Sequence, residues 1–117
     1  MEYQFEKLKV WQMGMALAEK IYKATKDFPK EEQYGITAQI RRAAVSVPLN
    51  IAEGKGRYHT KAFIQFLYQA RGSLYEVMTL LKLCMVLMYL KEKDKQELQN
   101  LCWDISGGIN GLINSLK

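Results

Sequence analysis

Residues 40–57 read IRRAAVSVPLNIAEGKGR, and how this stretch is read decides the fold. Its apolar residues recur with a helical period, yet Pro48 stands in the middle. Arg42, Ser46, Asn50 and Glu53 return every three or four residues as an ordered polar band. On a helical wheel Ile36, Ile40, Ala43, Val47 and Ile51 share one face, the stripe expected to meet a core. Ala38, Val45, Leu49 and Ala52 form a second apolar strip almost opposite the first. A helix in a lone bundle needs only one apolar face. Two such faces predict cover on both sides, so Val45, Leu49 and Ala52 are candidates for an oligomer contact. Pro48 lacks a backbone N–H, which predicts a helix kinked, or split, near Ser46.

The same 3.6-residue period runs through the rest of the chain, with no sustained strand alternation, repeat or low-complexity tract. A first helix is predicted over about Leu8–Asp27, with Leu8, Trp11, Met15, Ala18 and Tyr22 facing inward. Phe28-Pro29 ends it, because a residue before proline resists the helical region. The second helix starts near Tyr34–Ile36 and stops at Glu53-Gly54, with Gly54 and Gly56 available as left-handed caps. Thr60 is the expected N-cap of a third helix reaching about Leu90. The fourth starts at Asp94, which forms a capping-box pattern with Glu97, and runs to the end of the sequence. Short connections predict an all-α, up-down-up-down antiparallel four-helix bundle, one domain over residues 1–117. Gly107, Gly108 and Gly111 weaken the last helix by roughly 1 kcal/mol each relative to alanine. That pattern reads either as fraying or as a close helix crossing through Gly107 and Gly111.

Composition narrows the function classes. Hydrophobic and charged fractions of 49% and 25% are those of an ordinary globular protein. MEYQFEKLKV has scattered charges and no apolar core of a signal peptide. The most apolar window, Leu80–Leu90, is only 11 residues long and contains Lys82, too short to span a bilayer. Cys84 and Cys102 lie in apolar helical patterns without a CxxC pair, as small buried residues of a reducing cytoplasm; a disulfide is the lesser alternative. His59 is the single histidine, so no metal site is expected, and no cofactor motif is present.

The third helix has its own core stripe, Phe63, Phe66, Leu67, Ala70, Leu74, Val77 and Leu81, beside a polar band of Gln65, Gln69, Ser73 and Glu76. Two such bands can satisfy each other. Arg42, Ser46, Asn50, Glu53, Ser73 and Glu76 are therefore expected to form a hydrogen-bonded network, within or between subunits. Glu53 and Glu76 also permit an acid–base reading. However, arginines stand close by in sequence and nothing marks a pocket, which favours a structural network over an enzyme.

RRAAVSVPLNIAEGKGR, followed by FIQFLYQARGSLYE, resembles the 23S rRNA-intervening-sequence proteins, small bacterial four-helix bundles. Arg42, Ala43, Ser46, Pro48, Asn50, Ile51, Ala52, Glu53 and Gly54 match the first part of the family pattern. Phe63, Phe66, Leu67, Ala70, Gly72, Ser73 and Glu76 match the second, and FEKLKVWQMGMALAEKIYK extends the similarity over nearly the whole chain. The resemblance implies a bundle that assembles as a ring, typically a homopentamer, with no associated enzymatic activity. A similar bundle is the accessory protein of diversity-generating retroelements, where a basic pentameric barrel binds nucleic acid and the reverse transcriptase.

The net charge of +5 is unevenly placed. Residues 33–90 hold seven basic residues against two acidic ones, while the flanks cancel. In the expected topology Lys7, Lys9, Lys55, Arg57, Lys61 and Lys117 collect at one end against Glu2 and Glu6, with Tyr58 and His59 among them. A ring would join these ends into a positive rim for RNA or DNA phosphates, with Tyr58 free to stack on a base. The ordinary alternative is that KGRYHTK is a solvated turn. A second functional reading is an adaptor ring that docks another protein through Tyr68, Tyr75 and Val86.

Overall fold

The helical period is realised as four α-helices and no strand. A computed structural model describes residues 1–117: α1 (Lys9–Ala24), α2 (Ile36–Lys55), α3 (Thr60–Val86) and α4 (Glu92–Leu116), with short 3-10 turns at Gln4–Lys7 and Lys30–Glu32. α2 packs against α1 and α3, and α4 against the same two helices. No helix is long and apolar enough to cross a membrane.

Helix ends follow backbone chemistry more than the expected side-chain caps. α1 stops at Ala24, where the Thr25 hydroxyl donates to the Ile21 carbonyl at 2.8 Å. Arg41 of α2 reaches this end, donating from Nε to Thr25 Oγ1 at 2.9 Å and from Nη2 to the Tyr22 carbonyl at 3.3 Å. Its positive charge thus meets the negative end of the α1 dipole. α3 begins after His59 and α4 after Lys91, neither with a side-chain capping bond. Thr60 and Asp94 therefore sit inside the first turn, not at the caps expected of them. Gly54 and Gly56 do not adopt left-handed conformations either: Gly54 is helical within α2, and Gly56 closes it at φ −79°. The left-handed cap belongs to Met88, at φ 63° after α3. There Tyr89 N–H bonds to Cys84 O at 2.9 Å and Met88 N–H to Met85 O at 3.0 Å, the two bonds of a Schellman motif.

The core is aliphatic. Leu17 and Ile21 of α1, Ile40, Val47 and Ile51 of α2, Leu67, Leu74 and Val77 of α3, and Ile105 and Ile109 of α4 are all fully buried. The second and third helices bury the expected stripes, except that Phe66 is only half-buried. The first does not. Val10, Gly14, Leu17 and Ile21 face inward, whereas Met15 and Tyr22 remain 46% and 47% exposed. α1 and α2 approach closely here, since a Cβ on Gly14 would stand a tight 3.3 Å from Pro48 Cδ. Of the expected stripe only Met15 and Tyr22 lie exposed, whereas Leu8, Trp11 and Ala18 are half-buried against the core. α2 itself runs unbroken through Pro48, so the split near Ser46 does not occur.

The α4 glycines also behave differently from both expectations. The helix continues to Leu116 without fraying, and Gly107 and Gly111 have open space around them. The close crossing is instead at Gly108, where a Cβ would come within 2.9 Å of Val10 Cγ1 on α1.

Candidate functional site

Three features of the second and third helices and their neighbours bear on function. The first is the seam between them. Ser46 Oγ and Ser73 Oγ are 2.9 Å apart, and Asn50 Nδ2 donates to both Ser46 Oγ (3.0 Å) and the Ser46 carbonyl (2.9 Å). Ser46 Oγ accepts from Asn50 and shares a further hydrogen bond with Ser73 Oγ in which either hydroxyl can donate. The seam thus joins three of the six residues named for the network. Arg42, Glu53 and Glu76 lie exposed along its outer edge, with no hydrogen bond or ion pair inside the protomer. Neither carboxylate lines any of the principal hollows.

The second feature is an open apolar face. Val45, Leu49 and Ala52 share a hollow with Phe5, Trp11, Met15 and Pro48, and Leu49 is 55% exposed. Val45 and Leu49 continue into a neighbouring hollow lined by Tyr22, Tyr34, Thr37, Ala38, Arg41 and Arg42. Trp11, Met15 and Tyr22 of α1 and the second strip of α2 therefore make one continuous surface.

The third is the basic end. Lys55, Arg57, Tyr58, His59 and Lys61 are all exposed around the α2–α3 turn, as are Lys7 and Lys9 at the start of α1. The Tyr58 ring meets His59 edge-on at 4.9 Å and is otherwise almost wholly in solvent. Arg57 lies over the Phe66 ring at 4.6 Å and Lys55 over Phe63 at 5.8 Å. No carboxylate pairs with any of these cations. The four ion pairs of the protein, Lys20–Glu97, Lys23–Glu19, Lys91–Asp27 and Lys95–Glu92, involve only the later part of α1, the turn after it and the start of α4. Glu97 is held below its usual carboxylate range by the Lys20 hydrogen bond and charge, and Lys20 is raised in turn. All four ion pairs thus lie away from the α2–α3 turn.

Both thiols are free and buried. Burial, with a smaller contribution from Glu32, pushes Cys84 up to about 11, and burial pushes Cys102 up to about 12, so neither is a ready nucleophile at neutral pH. No group of three or more His, Cys, Asp or Glu side chains is placed to hold a metal ion.

An all-helical four-helix protein with an uncovered apolar face and an unneutralised basic end is the class that fold and surface define. The family model described as 23S rRNA-intervening sequence protein matches residues 6–111, and the chain belongs to that family. Among solved structures, a protein of unknown function from the S23 ribosomal protein family of Bacteroides thetaiotaomicron VPI-5482 is similar in fold. It superposes with a TM-score of 0.79 over 89% of this chain and 97% of its own, at 21% identity. No curated protein matches the chain.

Proposed function

We propose that the protein is a non-enzymatic homo-oligomer, a pentameric ring of up-down-up-down antiparallel bundles, that binds nucleic acid through a basic rim in the cytoplasm. The antiparallel arrangement is supported by contacts between opposite helix ends: Arg41 with Thr25, Gly54 with Phe63, Lys82 with Gln99, and Lys20 with Glu97. α2 bends at Pro48 in this reading, since the proline has no N–H to give its helix.

The observation that carries the proposal is the open face of Trp11, Met15, Val45 and Leu49 beside an end whose cations have no carboxylate partner. Exposed contiguous apolar surface marks interaction sites, and a helix with two apolar sides is covered on both. A ring of protomers multiplies the basic ends into one positive surface, whose affinity for phosphates comes from charge and counterion release. Five subunits is the number the family resemblance implies.

The test is a mobility-shift titration of RNA and DNA at several salt concentrations. Binding that weakens steeply with salt and disappears in Lys55→Glu/Arg57→Glu/Lys61→Glu is the expected result. No affinity even at low salt, or affinity indifferent to the three reversals, removes the nucleic-acid reading. One observation favours an adaptor ring instead: Val86 and Met88, 77% and 86% exposed, stand at the far end of α3 beside exposed Leu83 and Leu87. Of the other residues named for that patch, Tyr75 is half-exposed, and Tyr68 is half-buried beneath Arg71.

A further inference from the structure

On α3, Arg71 stands three residues after Tyr68 and four before Tyr75, the spacing that brings side chains together on a helix surface. Its guanidinium carbon lies 4.8 Å from the Tyr68 centroid and 5.9 Å from that of Tyr75. Nη1 donates to Asn110 Oδ1 of α4 at 3.0 Å, which fixes the plane of the group. Lys117 Nζ approaches the same Tyr68 ring at 5.9 Å. Two cations are thus gathered at one aromatic ring, close to a Debye length apart or less, and neither has a carboxylate within ion-pair distance.

Arg71 is partly buried and oriented by Asn110, yet its Nε and Nη2 donors have no partner in the protein. A guanidinium held flat with open N–H groups presents the fork that matches two oxygens of a phosphate. The five cation–ring contacts at Lys55, Arg57, Arg71 and Lys117 all involve rings of α3 between Phe63 and Tyr75; only Arg41 with Tyr22 lies elsewhere. Stacking on a ring positions each cation without neutralising it.

We infer that Arg71, oriented by Asn110 and the Tyr68 and Tyr75 rings and assisted by Lys117, is a phosphate-binding subsite for the backbone of a single-stranded nucleic acid. The subsite rests on the nucleic-acid reading above and extends it from the α2–α3 turn onto the α3–α4 side. A strand lying across α3 touches Arg57 and Arg71 in turn. Half-exposed Tyr75 then offers a ring face to an unpaired base.

The experiment is fluorescence-anisotropy titration of labelled oligothymidylate over a salt series, with circular dichroism melts confirming that each variant folds. Arg71→Gln is expected to weaken binding and to lower the slope of log K against log salt by about 0.7, the value for one phosphate contact on a single strand. Arg71→Lys keeps the charge and loses the fork, so its slope stays at the wild-type value while affinity falls. If Arg71→Gln matches wild type in affinity and slope while the Lys55, Arg57, Lys61 reversal abolishes binding, the subsite is wrong and the basic rim stands. If wild type fails to bind at low salt, both readings fall.

Discussion

Replacing Gly54 by alanine adds one methyl group where α2 and α3 come closest. The new Cβ would stand 2.6 Å from Phe66 Cβ and 2.9 Å from Phe63 Cδ1. A ring carbon can swing aside, but Phe66 Cβ is fixed to the α3 backbone, so the helices themselves must separate by most of an ångström. Overpacking of this kind costs about 1–3 kcal/mol. Alanine returns about 1 kcal/mol of helix propensity. With a partner that cannot rotate away, the upper part of the range applies, and a net loss of about 2 kcal/mol is expected. For 117 residues the unfolding entropy is about 0.25 kcal/mol/K, so melting should fall by about 8 °C. Gly107→Ala is the matched control, because nothing lies within 4 Å of its Cβ position. Propensity alone acts there, and melting should rise by about 4 °C. Both are read by circular dichroism at one fixed protein concentration, since assembly would make melting depend on it. A Gly54→Ala protein as stable as wild type, or more so, refutes the close-packed α2–α3 contact.

Other consequences concern the end of α3 and the buried thiols. Met88→Gly removes a side chain from a left-handed position that is almost wholly exposed, and should stabilise by about 0.5–1 kcal/mol, raising the melting temperature by roughly 3 °C; a fall would contradict the cap. Cys84 and Cys102 have pKa values raised by burial, so the unfolded chain sheds these protons before the fold does. Their stabilising effect is complete below about pH 8.5 and is lost as pH climbs toward about 11 and about 12. For Cys102 the loss approaches 1.4 kcal/mol per pH unit. Cys102→Ala should therefore show a shallower decline of stability between about pH 9 and 11 than wild type, and an identical decline would discount the thiol.

How much of this was legible in the sequence varies by element. Four helices followed from periodicity, because a stripe such as Leu67, Leu74 and Val77 is specified by one helix alone. The orientation of α1 was not, since it involves the close approach of Gly14 to Pro48 of another helix. A single-helix pattern weighted toward Trp11, Met15 and Tyr22 has no access to that contact. Helix caps failed at Thr60 and Asp94 by one to three residues, the usual uncertainty of helix boundaries. In the polar band, the short side chains of Ser46, Asn50 and Ser73 bond where α2 and α3 approach. The longer Arg42, Glu53 and Glu76 lie on the outer edge, and a wheel diagram does not separate the two groups.

The free cations at the α2–α3 turn were visible as a charge count over residues 33–90. Arg71 was part of that count, but its position between two tyrosines and Asn110 needed the α3–α4 packing. The Tyr68–Arg71–Tyr75 spacing was the available signal. The second strip of α2 was readable in full, whereas its extension across Trp11 and Met15 needed the α1–α2 packing.

The account depends most on what covers Val45 and Leu49. Multi-angle light scattering of the purified protein measures this directly: the mass should be five times the 13.6 kDa of one chain. A particle of 13.6 kDa at every concentration would leave that face in water and contradict both the ring and its basic rim.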